Sequence, residues 1–152
     1  MNLLKIDDKE FYLPYRLITN EDIVNFANLT GDRNRIHLDN EFAKNTPFEK
    51  CIAHGLFSIS VIFGLMYESH LFDELITIFT EIESAKFISP VYPSDKISAK
   101  IKIINKYESN KKDGYFVIMD IIGFKEMPDY KEFLKKRAKF KLIKSITQNY
   151  EN

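Results

Sequence analysis

The stretch GLFSISVIFGLMYES, Gly55–Ser69, decides the reading of the fold. Leu56, Ile59, Phe63 and Met66 recur at helical spacing and form one apolar stripe. Phe57, Val61, Ile62 and Leu65 fill most of the remaining circumference. A helix that is apolar nearly all round must be covered on most sides. The whole apolar run, Ile52 to Tyr67, carries His54 and stops at Glu68. It is shorter than the ~20 residues that span a bilayer, so the helix is expected inside protein rather than lipid.

What covers it is legible downstream, where the period changes from helical to two. ITIFTEIESAKFIS (residues 76–89) reads as a strand. KISAKIKIINKYES (96–109) alternates Ile97, Ala99, Ile101 and Ile103 with Ser98, Lys100 and Lys102, one face in and one face out. Asp113-Gly114 within NKKDG marks a hairpin turn. YFVIMDIIGF (115–124) is the next strand, and RAKFKLIKS (137–145) the last, with Ala138, Phe140 and Leu142 set against Lys139 and Lys141. The lysines of these faces read as a solvated surface. The expectation is an α+β domain, an antiparallel sheet covering one long helix. Spatial strand order is not encoded in the pattern.

Upstream, Glu10–Ile18 reads as a first strand that Pro14 confines to an edge or bend. Thr19 or Asn20 caps a helix whose first turn carries Glu21 and Asp22, and Gly31 ends it. Asp39 caps a second short helix, NEFAKN, closed by Pro47. Residues 1–152 suit a single domain.

Composition narrows the function classes. Lys+Arg and Asp+Glu are both 22, so no global basic field exists to hold a nucleic-acid backbone. The N-terminus turns acidic too early for a signal peptide. The single cysteine, Cys51, cannot form an internal disulfide and reads as a small buried hydrophobe. A reducing, cytoplasmic setting with no membrane partner is the expectation. No Gly-rich phosphate loop, spaced metal set or nucleophile elbow is present.

The chemistry-bearing residues concentrate in TGDRNRIHLDNEFAKNTPFEKCIAHG, Thr30–Gly55, which holds two of the three histidines. Asp32, Asn34 and His37 fall between two expected helices, and His54 and Gly55 at the start of the buried one. A carboxylate and an imidazole a few residues apart can converge on one small molecule, such as water, one taking a proton while the other delivers one. A buried helix start offers free N–H groups to an oxygen that gains negative charge, and Gly55 has no side chain to block its approach. On spacing alone, Asp32 and Asn34 also read as turn residues, and His54 as a structural histidine.

This stretch resembles the hydratase motif of the MaoC-like family, which includes the (R)-specific enoyl-CoA hydratases. That pattern runs small-Gly-Asp-x-Asn-Pro-aliphatic-His-x-Asp, then Ala, Phe and Ile-Ala-His-Gly. KFISPVYPSDKISAKIKI (Lys86–Ile103) is similar to a later family segment. The resemblance runs from Asp22 to about Ile103. It implies a hot-dog fold, a homodimer and a tunnel for the acyl chain of a thioester. It implies Asp32 and His37 as the catalytic pair that activates water for addition to a 2-enoyl thioester of coenzyme A or acyl-carrier protein. Gly55 would supply the backbone N–H for the thioester carbonyl, Asn34 would orient the loop or Asp32, and no cofactor or metal is implied. Arg35 stands where the family has Pro and is a candidate contact for a carrier phosphate; His54 is a second candidate substrate contact. Ser94 stands where Gly is common. A hot-dog acyl-thioesterase is the alternative enzyme, although Leu56–Tyr67 carries no carboxylate. A non-catalytic acyl-thioester-binding subunit is the alternative of another class.

Overall fold

The structure, a computed structural model, describes residues 10–72, 75–111, 114–126 and 131–144. Its centre is helix α4, Gly55–Glu68. Four long strands follow it: β3 (Leu75–Phe87), β4 (Lys96–Glu108), β5 (Tyr115–Lys125) and β6 (Glu132–Lys144). Two short strands precede it, β1 (Glu10–Tyr12) and β2 (Arg16–Leu17). All pairings are antiparallel, and the order is β1-β4-β5-β6-β3, with β2 also on β4. Pro14 splits the expected first strand into two pieces at the sheet edge, because it has no N–H to give a ladder.

The core forms where the two periodicities meet. Phe57, Ile59, Val61, Ile62, Leu65 and Met66 of α4 are buried in one cluster with alternate residues of β4, β5 and β6. From β4 these are Ile97, Ala99, Ile101 and Ile103, as the alternation predicts. Two departures are informative. Ser98, expected outside, is fully buried because its hydroxyl donates to the Leu13 carbonyl at 2.7 Å where the N-terminal segment runs beside β4. Lys136, on a strand whose lysines read as solvated, is 4% exposed and lies over the ring of Phe63. Strand β6 also starts at Glu132, earlier than the alternation shows. The Asp113 half of the expected turn lies outside the described residues.

Helix α1 (Asn20–Thr30) is capped as the sequence predicts. Thr19 and Asp22 exchange side-chain-to-backbone bonds in a capping box, and Gly31 closes the helix at φ 79°. Such a cap contributes about 1 kcal/mol. No helix among the described residues is long and apolar enough to cross a membrane.

Strand β3 is the opposite edge, with β6 as its one neighbour among the described strands. Thr77, Phe79, Ile82, Ala85 and Phe87 share the inward face with their partners Leu142, Phe140, Ala138, Lys136 and Leu134. Helix α4 covers this row only in part, through Phe63 on Phe79 and Gly55 beside Phe87, so Phe79, Ile82 and Phe87 stay exposed on one side.

Candidate active site

Three segments converge at the start of α4. The first leaves α1 at Gly31 and carries Asp32. Here the structure adds an element the sequence does not show, a one-turn helix α2, Arg35–Leu38. Asn34 caps it, its side-chain oxygen accepting from the Ile36 N–H at 3.3 Å. The turn holds His37 toward the second segment. There the Ile52 N–H donates to the Ile36 carbonyl at 3.2 Å, and the Ala53 N–H to the Val91 carbonyl at 2.7 Å. Helix α3 (Asn40–Ala43) follows, capped by Asp39 as expected.

The two histidines are tied crosswise. His37 Nδ1 lies 2.7 Å from the Ile52 carbonyl oxygen, and His54 Nε2 lies 3.0 Å from the Asp32 carbonyl oxygen. A carbonyl only accepts, so those nitrogens carry the protons in the neutral rings. The lone pairs therefore fall on His37 Nε2 and His54 Nδ1. The rings stack with centroids 3.8 Å apart and an angle of 30°. Phe26 packs against His54 at 5.0 Å. His54 is buried and its Nδ1 has no hydrogen-bond partner. His37 is half-buried, and burial pushes its pKa below the ordinary histidine value. Repulsion from His54 pushes the same way, while the Ile52 carbonyl and Asp32 oppose both. At neutral pH the His37 ring is thus uncharged with Nε2 available.

The Asp32 carboxylate accepts from the Asn34 backbone N–H at 3.3 Å. Asn34 does restrain Asp32, but through its main chain; its side chain is spent on capping α2. Gly55 opens α4, and the His54 side chain makes no cap bond there. The first-turn N–H groups have no partner within the helix. The Phe87 ring lies so near that a Cβ on Gly55 would sit 2.8 Å from it.

Asp32, His37, His54 and Gly55 all line one cleft of about 490 Å³, with Thr30, Ser58 and Ser89 as the hydroxyl residues of its lining. Its apolar wall includes Phe26, Phe48, Leu56, Phe87, Val91 and Phe133. Asp32 is its only carboxylate among the described residues. Donor atoms of Asp32, His37 and His54 lie within 4.8 Å of one another, close enough to share a cation or a water. One expected residue is placed elsewhere, and Cys51 is the buried hydrophobe that the sequence predicts. Arg35 gives its guanidinium to Asp39 at 2.7 Å and stacks on Phe42, away from the cleft lining. Cys51 is buried outside the cleft, and burial raises its pKa, which keeps the thiol protonated. The aromatic wall was not anticipated as a site. Phe87 lies in a segment whose motif resemblance offered a pointer, whereas Phe133 carries no local signal.

Residues 6–117 match the MaoC like domain family. The chain belongs to the MaoC-like family. The matched span holds every residue named on the cleft except Phe133. Among relatives, the mitochondrial 3-hydroxyacyl-[acyl-carrier-protein] dehydratase FERN of Solanum lycopersicum is 30% identical over 77% of this chain and 74% of its own. The 3-hydroxybutyryl-CoA dehydratase of Methylorubrum extorquens is 49% identical over 32% of this chain, a stretch spanning 31% of that protein. The (R)-specific enoyl-CoA hydratase of Aeromonas caviae is 32% identical over 54% of this chain and 59% of its own. Among solved structures, a monoamine oxidase regulatory protein from an Archaeoglobus species superposes with a TM-score of 0.80 at 26% identity, covering 92% of this chain and 91% of that one. An unliganded R-hydratase from Pseudomonas aeruginosa gives 0.74 at 24% identity, over 92% and 83%. The architecture is the hot-dog fold, an antiparallel sheet around one long helix, as the resemblance implied.

Proposed function

We propose that this chain catalyses the reversible hydration of a trans-2-enoyl thioester to a 3-hydroxyacyl thioester, a hydro-lyase reaction. The observation that carries the reading is the His37 Nε2 lone pair, fixed by the Nδ1 bond to Ile52 and held neutral by burial, beside the Asp32 carboxylate and the start of α4. Names of relatives support the same chemistry.

In this reading the thioester carbonyl oxygen sits against the Gly55 N–H. Asp32 and His37 hold a water over C3 of the double bond. His37 Nε2 takes one proton as the water oxygen bonds to C3, and the π electrons move to the carbonyl oxygen. The α4 N–H groups stabilise that enolate oxygen. The imidazolium then returns its proton to C2, and the carbonyl reforms. The thioester itself acidifies C2, so the step calls on no cofactor. The decisive assay follows loss of conjugated enoyl absorbance with crotonyl-CoA and with the matching acyl-carrier-protein thioester. Rapid loss supports the reading; no loss with either carrier across short and long chains refutes it.

Gly55→Ala tests the oxyanion contact. A methyl group there meets the Phe87 ring, which is half exposed and able to shift, so the fold should survive. The carbonyl would be displaced from the N–H, and kcat should fall about 10²-fold with little change in melting temperature. Unchanged kcat would remove Gly55 from the mechanism.

We also infer a homodimer joined along β3. Among the described residues the strand's outer edge is unpaired, its inward row exposes Phe79, Ile82 and Phe87, and Leu56 and Tyr67 are exposed on α4. A long apolar edge strand left unpaired is an aggregation hazard. Light scattering should give twice the 17.9 kDa chain mass, and Ile82→Glu should halve it. A monomeric wild type would refute the interface.

A further inference from the structure

We propose that Lys136 is the counter-ion for a carboxylate at the far end of the substrate's acyl chain, so that the preferred substrates are thioesters of short dicarboxylic acids. This rests on the hydratase reading of the cleft and names its substrate class.

The inward row of β6 runs Leu134, Lys136, Ala138, Phe140, Leu142. Four of these five are apolar and almost fully buried, and Lys136 is buried among them. Lysine in such a place ordinarily snorkels to solvent or pairs with an acid. Lys125, the other buried lysine among the described residues, pairs with Asp95 at 2.6 Å. Lys136 does neither. Its Nζ is out of contact with solvent and has no hydrogen-bond partner. The ammonium lies over the ring faces of Phe63 at 3.3 Å and Phe79 at 5.4 Å. A ring face attracts a cation but accepts none of the strong bonds an ammonium can donate.

Its position gives the ammonium a purpose. Phe87, against Gly55, pairs with Leu134, and the next inward pair along the same strands is Ala85 with Lys136. That is about 7 Å further along the sheet. Phe63 lies eight residues after Gly55 on α4, about 12 Å along its axis. Lys136 therefore sits down the seam between α4 and the β3–β6 pair, roughly one short acyl chain beyond the carbonyl site. Small residues flank it on the two strands, Ala85 across and Ala138 beside it. The Phe87 ring stands between the cleft and this layer and is exposed on one side. A carboxylate arriving here would receive charge-assisted bonds from an otherwise unsatisfied donor, whereas a methyl end would leave the ammonium buried and unmet.

The test uses unreactive saturated analogues, which separate binding from catalysis. Glutaryl-CoA and valeryl-CoA have equal chain length and differ in carboxylate against methyl at the end. Titration calorimetry should show the wild type binding glutaryl-CoA at least tenfold more tightly. Lys136→Met keeps the stem and removes the charge, and it should abolish that preference while valeryl-CoA binds as well or better. Equal binding by the wild type would overturn the proposal, as would a preference that survives in Lys136→Met. The first is also the result if an acid of a second copy of the chain already neutralises Lys136. Hydration of glutaconyl-CoA and trans-2-pentenoyl-CoA is followed in parallel. If neither reacts while the binding preference stands, the hydratase reading falls and the carboxylate site stands. If both react alike and the analogues bind alike, the reverse holds.

Discussion

Asp32→Asn and His37→Asn will each lower kcat/KM for enoyl-thioester hydration by about 10³-fold, within the range a positioned acid or base contributes. Both changes spare the scaffold. Asparagine at 32 keeps an oxygen to accept from the Asn34 N–H, which holds that side chain at 3.3 Å. Asparagine at 37 keeps an N–H donor for the Ile52 carbonyl, which His37→Ala would leave stranded at a cost of about 1–3 kcal/mol. What disappears is the carboxylate charge on the cleft in one case and the Nε2 lone pair in the other, the two groups that the proposed mechanism uses. The wild type should also show an acid limb in kcat/KM that lies below the ordinary histidine pKa of 6.5, because burial and His54 disfavour the imidazolium. Activity is present above that limb and is lost as pH falls through it. Near-normal turnover by either variant would remove that residue from the mechanism.

The second large effect is on stability. Burial pushes the Lys136 ammonium down from 10.5 to about 7. Below pH 7 both folded and unfolded chains carry the proton, and the fold bears the whole desolvation cost. Between pH 7 and 10.5 the unfolded chain binds more protons than the folded one, so stability rises with pH, and above 10.5 the cost is gone. At 1.36 kcal/mol per pKa unit the ceiling is about 5 kcal/mol. Lys136→Met should therefore stabilise the ligand-free protein by about 2–4 kcal/mol at pH 6, and the gain should shrink steadily toward pH 10. Calorimetric melting at the two pH values checks it. A gain that does not vary with pH would mean the ammonium is not the source of the cost.

The legible parts of this molecule are those written in local periodicity. The all-apolar circumference of α4, the Ile97–Ile103 alternation and the Thr19 and Asp39 caps each act within a few residues, so sequence alone exposes them. Long-range placement is different. Ser98 is inside because Leu13, far away in the chain, offers it a carbonyl. Lys136 is inside because β6 holds its register between β5 and β3, and a lysine among lysines carries no mark of which face it takes. The candidate site divides in the same way. Asp32, His37, His54 and Gly55 come together at the start of α4, and a short motif announces them. The aromatic wall, assembled from α1, β3 and β6, exists only after folding. Arg35 illustrates the limit of position as an argument: it is near His37 in sequence but engaged with Asp39 and Phe42.

The crossed histidine tethers have a further meaning for proton traffic. Each imidazole has spent one nitrogen on an amide carbonyl of the other segment, and an amide oxygen hands nothing onward. Neither ring can therefore work as a wire that passes a proton through to bulk water. The pair is a cul-de-sac with one mouth on the cleft, and whatever enters at His37 Nε2 must leave by the same atom. A site of that kind keeps its own account of a single proton from one turnover to the next.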